Sequence, residues 1–198
     1  MRIGHAGKAL LVAGATAAAI SLPEAAVASA EPGAVPTTAV TCAVSGTVSI
    51  SNVSRPQTGI NYLARNLTVT GADSGISCAD LRSDKSATGG HSIVGYSDTY
   101  AGYFPNSSCA AAGGTLNIKI TWILDNGETQ TSKVTENIPQ GNIFGSLQGT
   151  GIVTTGLFSG ALFETNSVLH DTVSHALQCA TDVGVTSSTY TSTATVLQ

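Results

Sequence analysis

From Leu116 to Leu124 every second residue is apolar, and the run ends in Asp-Asn-Gly. Leu116, Ile118, Ile120, Trp122 and Leu124 alternate with Thr115, Asn117, Lys119 and Thr121. Side chains along a strand point to opposite faces in turn, so this stretch is a half-buried strand. A helix would scatter the same apolar residues around its whole surface. Asn-Gly between alternating segments is among the strongest short hairpin signals, which makes "TQTSKVT" the partner strand. Two registers compete. A two-residue Asn-Gly loop pairs Asp125 with Glu128, two like charges. A three-residue loop with Gly127 left-handed pairs Leu124 with Glu128, sets Trp122 opposite Gln130 and sets Ile118 opposite Val134. The second puts Val134 on the apolar face and is the one expected.

The rest of the chain repeats strand-length runs between turn signals. "CAVSGTVSIS" is the first and "INYLARNLTVT" the second, with "GADSG" read as a turn. "HSIVGYSDTY" is the third and runs into a loop at "AGYFPNSSC". After the central hairpin come "FGSLQGTGIVTT", "LFSGALFETNSVL" and "VTSSTYTSTATVL". Gly149 and Gly151 in the first of these suggest a bulge or a close backbone approach. In "HDTVSHALQCATD", Leu169, Val173, Ala176 and Leu177 fit one or two helical turns. The pattern predicts an all-β domain of about eight antiparallel strands in meander order, as a closed small barrel or a sandwich.

The N-terminus has the layout of a secretory signal peptide. Arg2 and Lys8 precede the apolar run "ALLVAGATAAAISL", and "AVASA" offers an A-x-A cleavage site. The run is shorter than the ~20 apolar residues a membrane span needs. Residues 1–30 are therefore expected to be removed, residues 31–41 to form a flexible leader and residues 42–198 to form one domain. Cleavage takes Arg2, Lys8 and Glu24 and leaves a net charge of about −5. No basic patch remains for nucleic acid or anionic lipid. The expectation is a secreted monomer without a membrane anchor or cofactor, meeting an extracellular ligand or a cell-surface component.

Four cysteines, Cys42, Cys78, Cys109 and Cys179, suit an exported chain with two disulfides. None lies in a C-x-x-C pair, which argues against zinc. Of three possible connectivities, Cys42–Cys78 with Cys109–Cys179 is expected, because the first would join the outer ends of the first two predicted strands. Each bridge closes a loop worth about 4 kcal/mol in the chain-entropy description.

The segments "GGTLNIKITWILDNGETQTSKV" and "GTGIVTTGLFSGALF" resemble a group of small exported four-cysteine proteins of actinobacteria. The resemblance implies an all-β secreted domain and carries no activity or catalytic residue. The polar "NSVLHDTVSHAL" departs from that pattern.

Chemistry-bearing constellations are sparse. Asp73-Ser74-Gly75 is no protease nucleophile loop, since the first histidine after the signal segment, His91, follows the serine. Asp125, Asn126 and Glu128 are contiguous rather than alternating, unlike a calcium loop. His170, Asp171 and His175 form the densest polar cluster, but a spacing of five puts the histidines on different faces of a helix or strand. Asp80 and Asp84, interleaved with Arg82 and Lys85, read as a solvated charged turn. The aromatic stretch is the better lead. Tyr96, Tyr100 and Tyr103 surround Asp98, and with Trp122 they make a candidate ligand platform of rings and a carboxylate. The competing reading is that Tyr96 and Tyr100 pack inward with their hydroxyls at a barrel rim. The leading functional expectation is a non-enzymatic exported binding or structural protein. The alternatives are a ligand-binding barrel for a glycan or small amphiphile, and a secreted hydrolase using His170, Asp171 or His175.

Overall fold

A computed structural model describes residues 36–198. The expected signal peptide lies outside the described residues. Eight antiparallel strands in meander order close into one barrel. They are β1 (Thr38–Asn52), β2 (Arg65–Asp80), β3 (Ile93–Ser107), β4 (Ala112–Leu124), β5 (Thr129–Gly141), β6 (Ser146–Gly156), β7 (Leu162–Leu169) and β8 (Ser187–Leu197). A short α-helix, α1 (Thr172–Cys179), interrupts the β7–β8 connection. Closure removes the exposed strand edges that an open sheet of this length would present.

The central hairpin takes the three-residue loop. Trp122 faces Gln130 and Ile118 faces Val134. The Leu124 amide donates to Glu128 O over 2.9 Å, and Gly127 has φ +84°. Asp125 ties this turn to the β2–β3 loop by accepting the Ser92 amide at 3.1 Å and lying 2.7 Å from His91 Nδ1. Both disulfides are those expected, Cys42–Cys78 and Cys109–Cys179. Cys42 and Cys78 are directly opposite on β1 and β2. Cys109 anchors α1 to the β3–β4 turn through Cys179.

Several boundaries differ from the sequence reading, and three of them share a reason. Every strand of a closed barrel has a partner on both sides, and pairing overrides local turn chemistry. "GADSG" is not a turn but mid-β2: Asp73 pairs with Gly46 of β1 and with Asp98 of β3. The loop expected at "AGYFPNSSC" is the second half of β3, which runs on to Ser107. Residues 38–41 belong to β1 rather than to a flexible leader, since Thr41 pairs with both Ala79 and Thr195. Strand seven begins only at Leu162, because residues 157–160 make a turn that carries Phe158 inward. The helix presents His175 and Cys179 to the core, whereas Val173 and Leu177 are exposed.

One end of the barrel, carrying loops 81–92, 125–128 and 157–161, is solid. Trp122 packs edge-on against Tyr96 and Phe158, each with ring centroids 5.4 Å away. Its Nε1 donates to Ser132 Oγ at 2.9 Å, so the one polar atom of the ring is satisfied. Arg82 lies over Phe158, 5.3 Å from the ring centroid. Its guanidinium forks onto Asp80 at 2.8 and 2.6 Å, and Asp80 also accepts the Ile93 amide. Both side chains are at most 5% exposed, so this is a buried ion pair and not the solvated charged turn expected. Burial alone would raise the Asp80 pKa, but the Arg82 fork and the two amides outweigh it and hold the carboxyl below its ordinary value.

Candidate functional site

The other half of the barrel is hollow. Eight strands enclose an interior just wide enough to be filled by side chains or to hold one small ligand. Here a cavity of about 110 Å³ remains. Val48, Val69, Leu116 and Ile118 are among its wall residues, and Ile60 and Ile143 close it toward the α1 end. Ile60 is held there by an antiparallel bridge to Val185. Asn61 braces the same loop, its side-chain amide donating to Thr181 O and its carbonyl accepting the Cys109 amide.

Beside the cavity, the pairing of β5 with β6 is incomplete. β5 runs to Gly141 and β6 begins at Ser146, yet their pairing stops at Asn137–Thr150. Beyond that rung the two strands are not paired, and Ile138, Ile143 and Leu147 line the cavity there.

The floor of the cavity is polar. Asp73 from β2, Asp98 and Tyr100 from β3, Glu136 from β5, Thr165 from β7 and Tyr190 from β8 converge on it. Tyr190 Oη donates to Asp73 Oδ2 at 2.9 Å, and Thr165 Oγ1 donates to Glu136 Oε1 at 2.6 Å. Tyr96 Oη donates to Asp98 Oδ2, whose other oxygen accepts the Asp73 amide at 3.3 Å. Asp73 Oδ1 is fully buried and is the one buried side-chain polar atom among the described residues without a hydrogen-bond partner. Two close approaches make this packing possible. A Cβ on Gly71 would sit 2.3 Å from Tyr100 Oη, and one on Gly149 would sit 2.2 Å from Glu136 Oε1. A Cβ on Gly71 would also meet the Thr47 carbonyl oxygen at 2.4 Å, so glycine is required there, whereas a side chain at position 149 would push the ends of Glu136 and Thr165 aside.

Burial dominates the electrostatics. Desolvation, reinforced by the neighbouring Asp73 charge, pushes the Asp98 carboxyl up to about 8. Desolvation likewise pushes Glu136 up to about 7, against the opposing Thr165 hydrogen bond. Asp73 is also raised by burial, although the Tyr190 hydroxyl partly offsets this. The phenols of Tyr96, Tyr100 and Tyr190 are raised by burial too, so they stay protonated and act as donors. Facing Asp73 and Asp98 cannot both ionise cheaply, and a proton held between them is the low-energy state at neutral pH.

Of the residues expected to bind a ligand, the structure brings Tyr96, Asp98 and Tyr100 to the chamber. Their hydroxyls lie in the interior rather than at a rim, with Tyr96 Oη buried on Asp98. Tyr103 does not join them: it is on the opposite parity of β3 and 46% exposed. Trp122 belongs to the solid end and does not line the cavity. Asp73, Glu136 and Tyr190 were not anticipated. The signal for Glu136 lay in the hairpin register, because it follows Val134 by two and so faces inward with it. His170 is exposed, His175 is buried beneath α1, and neither lines the chamber. Among the described residues no group of three His, Cys, Asp or Glu side chains is arranged to hold a metal ion.

Comparison with family models, curated proteins and solved structures finds no match to this chain. Two disulfides and, among the described residues, no helix long and apolar enough to cross a membrane are compatible with an extracellular protein.

Proposed function

We propose that this barrel is a secreted, non-enzymatic binding protein that takes a small amphiphile into its interior chamber. The observation that carries the reading is the chamber itself, apolar on its walls and hydrogen-bonding on its floor. Ligand sites typically combine an apolar lining with a few convergent polar groups and carboxyls of shifted pKa. Volume decides the size of the ligand. A cavity of about 110 Å³ is of the order of the ~150 Å³ engineered cavity that takes up benzene. That favours a molecule of about five to eight heavy atoms, or the end of a longer one, over a glycan. A hydrolase is less well supported, because His170, Asp171 and His175 do not line the chamber.

Calorimetric titration with n-butanol is expected to show saturable binding to the native protein. Ile118→Phe fills the chamber from β4 and is expected to abolish that heat while leaving the fold intact. Absence of saturable binding of n-butanol or benzene to the native protein would remove the proposal.

A further inference from the structure

Resting on that reading of the chamber, we infer that it selects amphiphiles with a protonated amine head, the ammonium seated between Asp73 and Asp98 on the floor that Glu136 also lines. The sign of the lining is the first argument. Three carboxyls reach the cavity, and no lysine, arginine or histidine lines it. A buried carboxylate is stable only when paired or hydrogen-bonded. The hydroxyls of Tyr190, Tyr96 and Thr165 supply one donor each, and no N–H or hydroxyl of the protein donates to Asp73 Oδ1.

The pairing of Asp73 directly opposite Asp98 is the second. Like charges opposite each other on neighbouring strands are destabilising. One positive donor between them removes the repulsion, and it can be either a proton or an N–H of a ligand. An ammonium brings three donors and a full charge; an alcohol brings one donor and no charge; a carboxylate ligand adds repulsion. Tyr100 and Tyr190, with ring centroids 6.5 Å apart, border the same floor and offer aromatic surface that attracts a cation.

Seating an ammonium therefore exchanges it for the proton that Asp73 and Asp98 share. The amine enters as R–NH₃⁺, the protonated carboxyl becomes carboxylate, and one proton leaves to solvent. The titratable groups facing this floor are Asp73 on β2, Tyr96, Asp98 and Tyr100 on β3, Glu136 on β5 and Tyr190 on β8. The other strands contribute none: β1 presents Val44 and Val48, β4 Leu116 and Ile118, β6 Leu147 and β7 Thr165. Affinity for the amine should then rise with pH through the titration of Asp98 and Glu136, while affinity for the alcohol should not.

The test compares n-butylamine, n-butanol and butyrate on the residue 31–198 protein by methyl-detected NMR titration at pH 5 and pH 7.5. At pH 7.5 the amine is expected to bind at least tenfold tighter than the alcohol, with butyrate weakest, and the ratio is expected to shrink at pH 5. Asp98→Asn and, separately, Glu136→Gln should each lower the amine-to-alcohol ratio; the second variant covers a failure of the first to fold. Equal binding of amine and alcohol, or tighter binding of butyrate, would overturn the amine inference and leave the chamber reading standing. Binding of none of the three would overturn both.

Discussion

Raising the pH from 5 to 8 is expected to destabilise this barrel steadily. Most carboxyl-bearing proteins change little over that range, because their carboxylates have pKa values near or below 4 when folded. Here Asp98 is pushed up to about 8 and Glu136 up to about 7, while in the unfolded chain both titrate near 4. Between those limits the folded state binds more protons than the unfolded state, so stability falls as pH rises. The contribution is fully present below the unfolded values and is lost as pH climbs through the folded ones. Each group contributes a slope of up to about 1.4 kcal/mol per pH unit within its own window. Asp80 works in the opposite sense at the acid end. Its pKa is lowered, so its contribution is present above the unfolded value and lost as pH falls through the folded one. Maximum stability is therefore expected near pH 4–5, and denaturant midpoints measured at unit steps of pH would show it. Asp98→Asn should flatten the slope above pH 6. A midpoint unchanged from pH 5 to pH 8 would mean that the floor carboxyls titrate normally.

Trp122→Ala is expected to cost about 3–5 kcal/mol, the range for removing a large buried aromatic side chain. Trp122 is 1% exposed and touches both rings that fill the solid end. Its removal opens a void between Tyr96 and Phe158 and leaves Ser132 Oγ without the Nε1 donor. Stabilities of small domains are of order 5–15 kcal/mol, so this single change consumes a large share. Trp122→Phe should be milder, since it retains most of the ring volume. Urea unfolding followed by circular dichroism separates the two, because Trp122 is the sole tryptophan and its fluorescence is lost in both. An alanine variant within 1 kcal/mol of the native protein would show that Tyr96 and Phe158 collapse into the void.

Much of the barrel was legible where local and global signals agree. The alternation from Leu116 to Leu124 and the Asp-Asn-Gly loop specified β4, β5 and their register, because an Asp125–Glu128 pairing would have left Val134 outside. The cysteines could be paired because the first two strands were correctly ordered as neighbours. What stayed hidden is physical in origin. Gly71, Asp73, Ser74 and Gly75 have the composition of a turn, and only partners on both sides hold them extended. The same residues conceal the site. An inward-facing Asp73 breaks the apolar-in, polar-out rule by which strands are read, and Gly71 is small because Tyr100 needs the room. Tyr96, Asp98 and Tyr100 could be found because they cluster in sequence; Glu136 and Tyr190 come from strands that meet them only when the sheet closes.

Small ligands are expected to rest on the carboxyl floor inside the barrel. Intermolecular NOEs between n-butanol and a methyl-labelled sample test it most directly. Contacts are expected to the methyls of Val69, Leu116, Ile118 and Ile138, with chemical shift changes extending to the lining residues Leu147 and Ile143. Contacts confined to exposed methyls such as those of Val173 and Leu177, with the interior methyls unmoved, would contradict it.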